Sequence, residues 1–148
     1  MSFPETFETT CPACKKEDVV DVMEDRGVEF LGCSECFGLF VSEDGLQAYI
    51  ADSTGSSEIG KAFVDLMEKA LGDKPPRPGS RGCPVCKKPL GRLGFGESPF
   101  VILDRCGLHG VWLDKKELKK VIRSVRAHAA VMGLAPAFDE EDDDGTED

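Results

Sequence analysis

The chain has 148 residues and a net charge of −10, with 28 Asp and Glu against 18 Lys and Arg, and it carries seven Cys and two His. No apolar run approaches the roughly 20 residues that a membrane span needs, and the acidic total disfavours free association with nucleic acid. No Ser/His/Asp set or glycine-rich phosphate loop is present, so no catalytic residues are expected and the chain reads as a non-enzyme.

The polar, acidic stretch Met1–Thr10 lacks the basic and apolar regions of an export signal, which predicts a cytoplasmic protein. A first cysteine pair, Cys11-Pro12-Ala13-Cys14, opens the chain proper. Val19–Met23 and Val28–Leu31 are rich in β-branched and aromatic residues and read as two strands, with Glu24-Asp25-Arg26-Gly27 as the turn between them. The second pair, Cys33-Ser34-Glu35-Cys36, follows, then a short strand over Gly38–Val41 and a brief helix from the cap Ser42 through Leu46, Tyr49 and Ile50.

Ile59, Ala62, Phe63, Leu66, Met67, Ala70 and Leu71 recur at three- and four-residue spacing, so 57–72 is expected to be an amphipathic helix capped by Ser57 and ended by Gly72. Its apolar stripe must be covered by the first half, by the second, or by another copy of the chain, which makes a homo-oligomer through this helix one outcome. Residues 73–80, with three Pro, read as a stiff linker and the boundary between two modules.

The second half repeats the plan. Cys83-Pro84-Val85-Cys86 precedes strands over Pro89–Phe95 and Phe100–Leu103, then Cys106-Gly107-Leu108-His109 and Gly110-Val111-Trp112-Leu113. Asp114 and Glu117 have capping-box spacing and open a helix that buries Leu118, Val121, Ile122 and Val125. Residues 138–148 are almost wholly acidic and are expected to be disordered.

The two ligand pairs in each half, the last of them Cys106/His109, are separated by eighteen and nineteen residues, inside the range of a zinc ribbon. Cys11, Cys14, Cys33 and Cys36 are therefore expected to hold one metal ion, and Cys83, Cys86, Cys106 and His109 another. His109 resolves the odd cysteine count, and eight ligands fill two tetrahedral sites with no open position for catalysis. Two structural zinc ions are the expected cofactors, although thiolates also hold iron. A hairpin too small to sustain a core alone is a standard case for a structural metal.

Cys106-Gly107-Leu108-His109-Gly110-Val111-Trp112-Leu113-Asp114, followed by Glu117-Leu118, resembles the transcription-factor-IIB-type zinc finger, whose pattern is CPxC, a hairpin, C-x-x-C-G-G-x-W-L-D and an E-L pair. The second half departs from it in His109 for the fourth Cys and in one Gly fewer. The first half is looser, with Phe37 for a Gly, Phe40 for the Trp, Val41 for the Leu and Ser42 for the Asp. The resemblance implies a zinc β-ribbon with an appended helix in each half, and its name points to transcription. The expected fold is thus a small metal-bound α+β chain: a first ribbon over 9–51, the helix 57–72, a second ribbon with its helix over 81–132, and the tail. With a Pro-rich linker between them, the two ribbons are expected to fold independently.

Trp112 and its counterpart Phe40 are expected to pack over the metal knuckles, and His128 to be a surface or helix-terminal histidine, not a ligand. Charge is strongly blocked along the chain: −10 over 1–74, +8 over 75–128 and −8 over 129–148. Lys116, Lys119, Lys120, Arg123 and Arg126 on the last helix are either a solvated surface or a contact for an anionic partner. The adjacent acidic tail either solubilises the chain or competes for that helix. These blocks predict a zinc-binding adaptor between protein partners, with a nucleic-acid-associated regulator as the second reading.

Overall fold

A computed structural model describes residues 3, 7–72, 77–97 and 99–133. It is a small α+β structure: one seven-stranded antiparallel sheet with three helices against one face. The predicted acidic tail, 138–148, and residues 73–76 of the predicted linker lie outside the described residues.

The first half contributes β1 (Val20–Asp25), β2 (Val28–Cys33), β3 (Leu39–Val41) and α1 (Glu43–Thr54). Arg26 and Gly27, with φ of 53° and 77°, form the two-residue turn between β1 and β2, tighter than the four-residue turn expected. α2 (Ser57–Leu71) follows, then β4 (Arg77–Gly82), β5 (Pro89–Phe95), β6 (Val101–Cys106), β7 (Gly110–Leu113) and α3 (Glu117–Val131). Within the expected linker, 77–80 belong to an edge strand beside β5. Pro78 is tolerated there because its missing N–H costs nothing on the solvent side.

Sheet order is β1-β2-β3-β7-β6-β5-β4, so the two halves meet where β3 pairs with β7. Leu39 lies opposite Leu113, Phe40 opposite Trp112 and Val41 opposite Val111. These are matching positions of the repeat, and the pairing is that of an approximate two-fold axis through the Phe40–Trp112 pair. Gly110 permits the approach: at φ 143°, a Cβ there would sit 2.1 Å from the Val41 carbonyl oxygen. The two halves therefore share one sheet.

Period-two alternation sorts the strand residues onto two cores. Toward the helices lie Phe30, Val41, Phe95, Leu103, Val111 and Leu113, packed on Leu46 and Ile50 of α1, Phe63 of α2 and Val125 of α3. α2 sits between α1 and α3, and its stripe of Ile59, Ala62, Phe63, Leu66 and Met67 is buried within the chain. Of the three ways of covering this stripe, burial within the chain is the one observed. Toward the other face lie Leu31, Phe40, Leu90 and Trp112, together with Cys11, Cys33, Cys83 and Cys106.

The helix caps differ in detail from expectation. Ser42 Oγ accepts from the Gly45 N–H at 2.9 Å, but α2 is capped by Ser56, one residue earlier than predicted, through Ile59 N–H. α3 has no side-chain cap on its first N–H groups. Only half of the expected capping box forms: Glu117 Oε1 accepts from the Asp114 N–H at 2.8 Å, while the Asp114 carboxylate turns elsewhere.

Candidate metal centres

Each metal centre is assembled from two tight turns at one end of a hairpin. In the first, the N–H groups of Ala13 and Cys14 donate to Cys11 Sγ, and those of Glu35 and Cys36 donate to Cys33 Sγ, all at 3.3 Å. Such N–H to sulfur bonds stabilise a thiolate. The turns close through residues in the left-handed region, Lys15 (φ 66°), Phe37 (φ 64°) and Lys87 (φ 68°). Phe37 is exposed and carries the Lys115 ammonium 5.4 Å from its ring centre.

The structure brings together the eight expected ligands, and in the expected two groups. Cys11 and Cys36 Sγ are 3.6 Å apart, Cys14 and Cys33 Sγ 3.8 Å, and Cys86 and Cys106 Sγ 3.7 Å. His109 presents Nδ1 at 3.5 Å from Cys106 Sγ and 3.7 Å from Cys83 Sγ. A tetrahedron with metal–sulfur bonds of about 2.3 Å and metal–nitrogen bonds of about 2.1 Å has edges of about 3.8 Å and 3.6 Å. The residues therefore fit a metal ion, and they do not fit disulfides, whose sulfurs are about 2.05 Å apart. All seven Cys are free thiols.

Electrostatics agrees with a cation among the sulfurs. Burial pushes the Cys36 and Cys83 thiols up to about 12. At Cys33 burial also works upward but is outweighed by the N–H groups of Cys36 and Glu35, which bring it to about 7. Four sulfurs this close cannot all become anionic unless a positive charge sits between them. In each centre two ligands are buried and two are partly exposed, so the cages are closed toward the sheet and reach solvent on one side.

The two centres are neighbours. Glu8 donates its N–H to the Pro84 carbonyl at 2.6 Å and receives Lys87 Nζ at 2.9 Å, which ties the segment before Cys11 to the turn after Cys83. Phe40 and Trp112, both fully buried, lie in the same cluster as the thiols of both centres.

Sequence reasoning missed Arg81. Its Nη1 donates to Asp104 Oδ2 at 3.0 Å and to both oxygens of Asp114 at 2.9 and 2.8 Å. Asp114 Oδ1 also accepts from Trp112 Nε1 at 3.0 Å. This network explains why Asp114 leaves its capping role: it satisfies the buried indole and anchors the edge strand. The signal in the sequence was a buried Trp that needs an acceptor. A second missed pair, Arg105 with Glu43, joins the two halves. His128 lies in the last turn of α3, the helix-terminal place expected of it; it is mostly buried, with Nε2 2.7 Å from Asp65 Oδ2, where it links α3 to α2.

Of the basic residues expected to meet an anion, Lys116, Lys119, Lys120 and Arg123 are exposed, and Arg126 is half-buried. No helix among the described residues is long and apolar enough to cross a membrane. No known protein family, curated protein or solved structure matches the chain.

Proposed function

We propose that this chain is a non-catalytic adaptor built on two structural zinc ions, one in each half of a zinc-ribbon pair. The observation that carries the reading is the match of the Sγ and Nδ1 separations to the edges of two closed tetrahedra. Three Cys and one His favour zinc at the second centre, and the first is its four-thiolate counterpart. Bound there, each ion would neutralise the thiolates and clamp the ends of its hairpin. With every ligand position filled by protein, no place remains for a water or substrate. Reduced thiols in this number suit a reducing, cytoplasmic compartment. Membership of the transcription-factor-IIB-type zinc-finger family remains part of this proposal and rests on the motif residues alone.

Function then falls to the surface. The acidic first half would receive a basic partner, and the basic face of α3 an acidic one, so the chain would hold two proteins together. The test is native mass spectrometry of the purified chain, with two zinc ions per chain expected and unfolding on chelation. Iron, a single ion or a folded metal-free chain would refute it. The exposed Lys120 and Arg123 favour a second reading, in which α3 contacts nucleic acid. A steep fall of RNA or DNA affinity with salt would support that reading, and no binding at low salt would remove it.

A further inference from the structure

The two edges of the sheet are built differently. β4 is defended, with Pro78 supplying no donor and the register shifting between Pro78 and Gly82, so no regular row of amide groups faces outward. β1 has neither device. It pairs with β2 in unbroken register over six residues, and everything after Val20 is exposed.

The outward groups of β1 can be identified. Asp25 and Val28 close the two-residue turn, which makes them a hydrogen-bonded pair, and hydrogen-bonded pairs then fall on alternate residues. The bond from Ser34 N–H to the Val19 carbonyl has the same phase. Val22 and Glu24 therefore turn their N–H and C=O groups away from the sheet. Val20 also faces outward, but its N–H is taken by the Thr9 carbonyl at 3.0 Å. Among the described residues nothing bonds the main chain of Val22 or Glu24 on that side.

The side chains on this edge select the occupant. Asp21 and Glu24 make no ion pair among the described residues, and Glu29 stands across from Glu24 on the neighbouring strand. Val22 and Met23 are both 47 % exposed, so each face of the strand offers an apolar side chain beside a carboxylate. A second copy pairing β1 on β1 would bring these carboxylates together, and like charges across strands are destabilising. The same charges attract a strand of opposite sign.

Resting on the adaptor reading, we propose that β1 docks an extended basic peptide of a partner protein by strand addition, with main-chain bonds to Val22 and Glu24 and Lys or Arg side chains on Asp21 and Glu24. Affinity comes from the main-chain bonds, and preference for a basic sequence comes from the carboxylates.

The test uses the full metal-loaded chain and a seven-residue peptide alternating Lys or Arg with Val, at low salt. Binding is expected with new hydrogen-exchange protection at the Val22 and Glu24 amides. Val22→Pro, which removes an outward donor that β2 does not use, should weaken binding about tenfold or more. The same peptide N-methylated on alternate residues should weaken it likewise, and that arm requires no change in the protein. Equal binding of the N-methylated peptide overturns the proposal, as does protection at another face. Binding at another face would leave the adaptor reading standing, whereas no binding of any basic peptide overturns the site and weakens the acidic half as a docking surface. Self-association of the free chain lost on Val22→Pro would assign the edge to a second copy instead.

Discussion

Phe40 and Trp112 occupy the same position in the two halves of the chain, and they lie directly opposite one another at the centre of the sheet. Both belong to one buried cluster that also holds Cys11, Cys33, Cys83 and Cys106. Truncating Trp112 to Ala should cost about 3–5 kcal/mol, the usual range for a large aromatic in a core. It should also loosen metal at both centres. Trp112→Phe, which copies the other half, should retain both ions but leave Asp114 without the indole donor. Urea unfolding combined with chelator-release rates for two equivalents of metal would separate these outcomes.

The gathering of the eight Cys and His side chains into two groups was legible in the sequence because metal geometry demands paired ligands at fixed spacing, and the two hairpins followed from that. The joining of the halves was not. Pairing between β3 and β7 links residues about seventy positions apart, and no local pattern encodes such a contact. A trace of it was present: Leu39-Phe40-Val41 and Gly110-Val111-Trp112-Leu113 are apolar at successive positions, as strands buried on both faces are. β1, by contrast, is polar at an edge. Residues 77–80 misled for the opposite reason, since Pro and Gly mark linkers and edge strands alike. The helix-end place of His128 was legible, but its partner was not, because Asp65 lies on another helix.

His109 tests the second centre directly. Only Nδ1 approaches the sulfurs, so a shorter thiolate ligand must reach the same point from the same backbone. His109→Cys should keep two metal ions per chain, and His109→Ala should lose one. Equal metal content in all three proteins would remove His109 from the ligand set.

Tyr49 is the one tyrosine, so its ionisation can be followed by phenolate absorbance without interference from another. Burial raises its pKa above the ordinary 10.0, and donation of its O–H to Asp25 Oδ2 at 3.0 Å adds to the rise, against a smaller opposing effect of Arg26. Because the folded pKa exceeds the unfolded one, the associated stability is complete below about pH 10 and declines as pH rises through the folded value. The native chain should titrate later than the urea-unfolded chain. Asp25→Asn should bring the two curves closer, and coincident native and unfolded curves would contradict the contact.

Arg81 neutralises Asp104, which is 6 % exposed. Removing one partner of a buried ion pair leaves the other charge desolvated, a loss of about 3–5 kcal/mol. Arg81→Met should show a loss of this order in denaturant unfolding. Adding Asp104→Asn should recover much of it, because the orphaned charge is gone, while Asp114 remains part-exposed and keeps its bond from Trp112. Purely additive effects in the double-mutant cycle would deny the coupling.

The shared sheet argues against independence of the two halves, and Cys83→Ser measures it. Independent halves need separate cores, yet Phe30 of β2, Phe63 of α2, Phe95 of β5 and Val125 of α3 belong to one cluster. The opposite face likewise merges thiols of both centres, and Glu8–Lys87 and Glu43–Arg105 tie the halves at the periphery. Losing the second ion should free the ends of β5 and β6, and the disturbance passes to β7 and then, through the Phe40–Trp112 pair, to β3. The variant should therefore unfold in one transition at lower denaturant and release its remaining ion to a chelator faster than the parent does. Amide protection in β2 should fall with it. If the first site instead kept its metal and its protection unchanged, the β3–β7 pairing would contribute geometry without energetic coupling, and each hairpin would stand on its own ion.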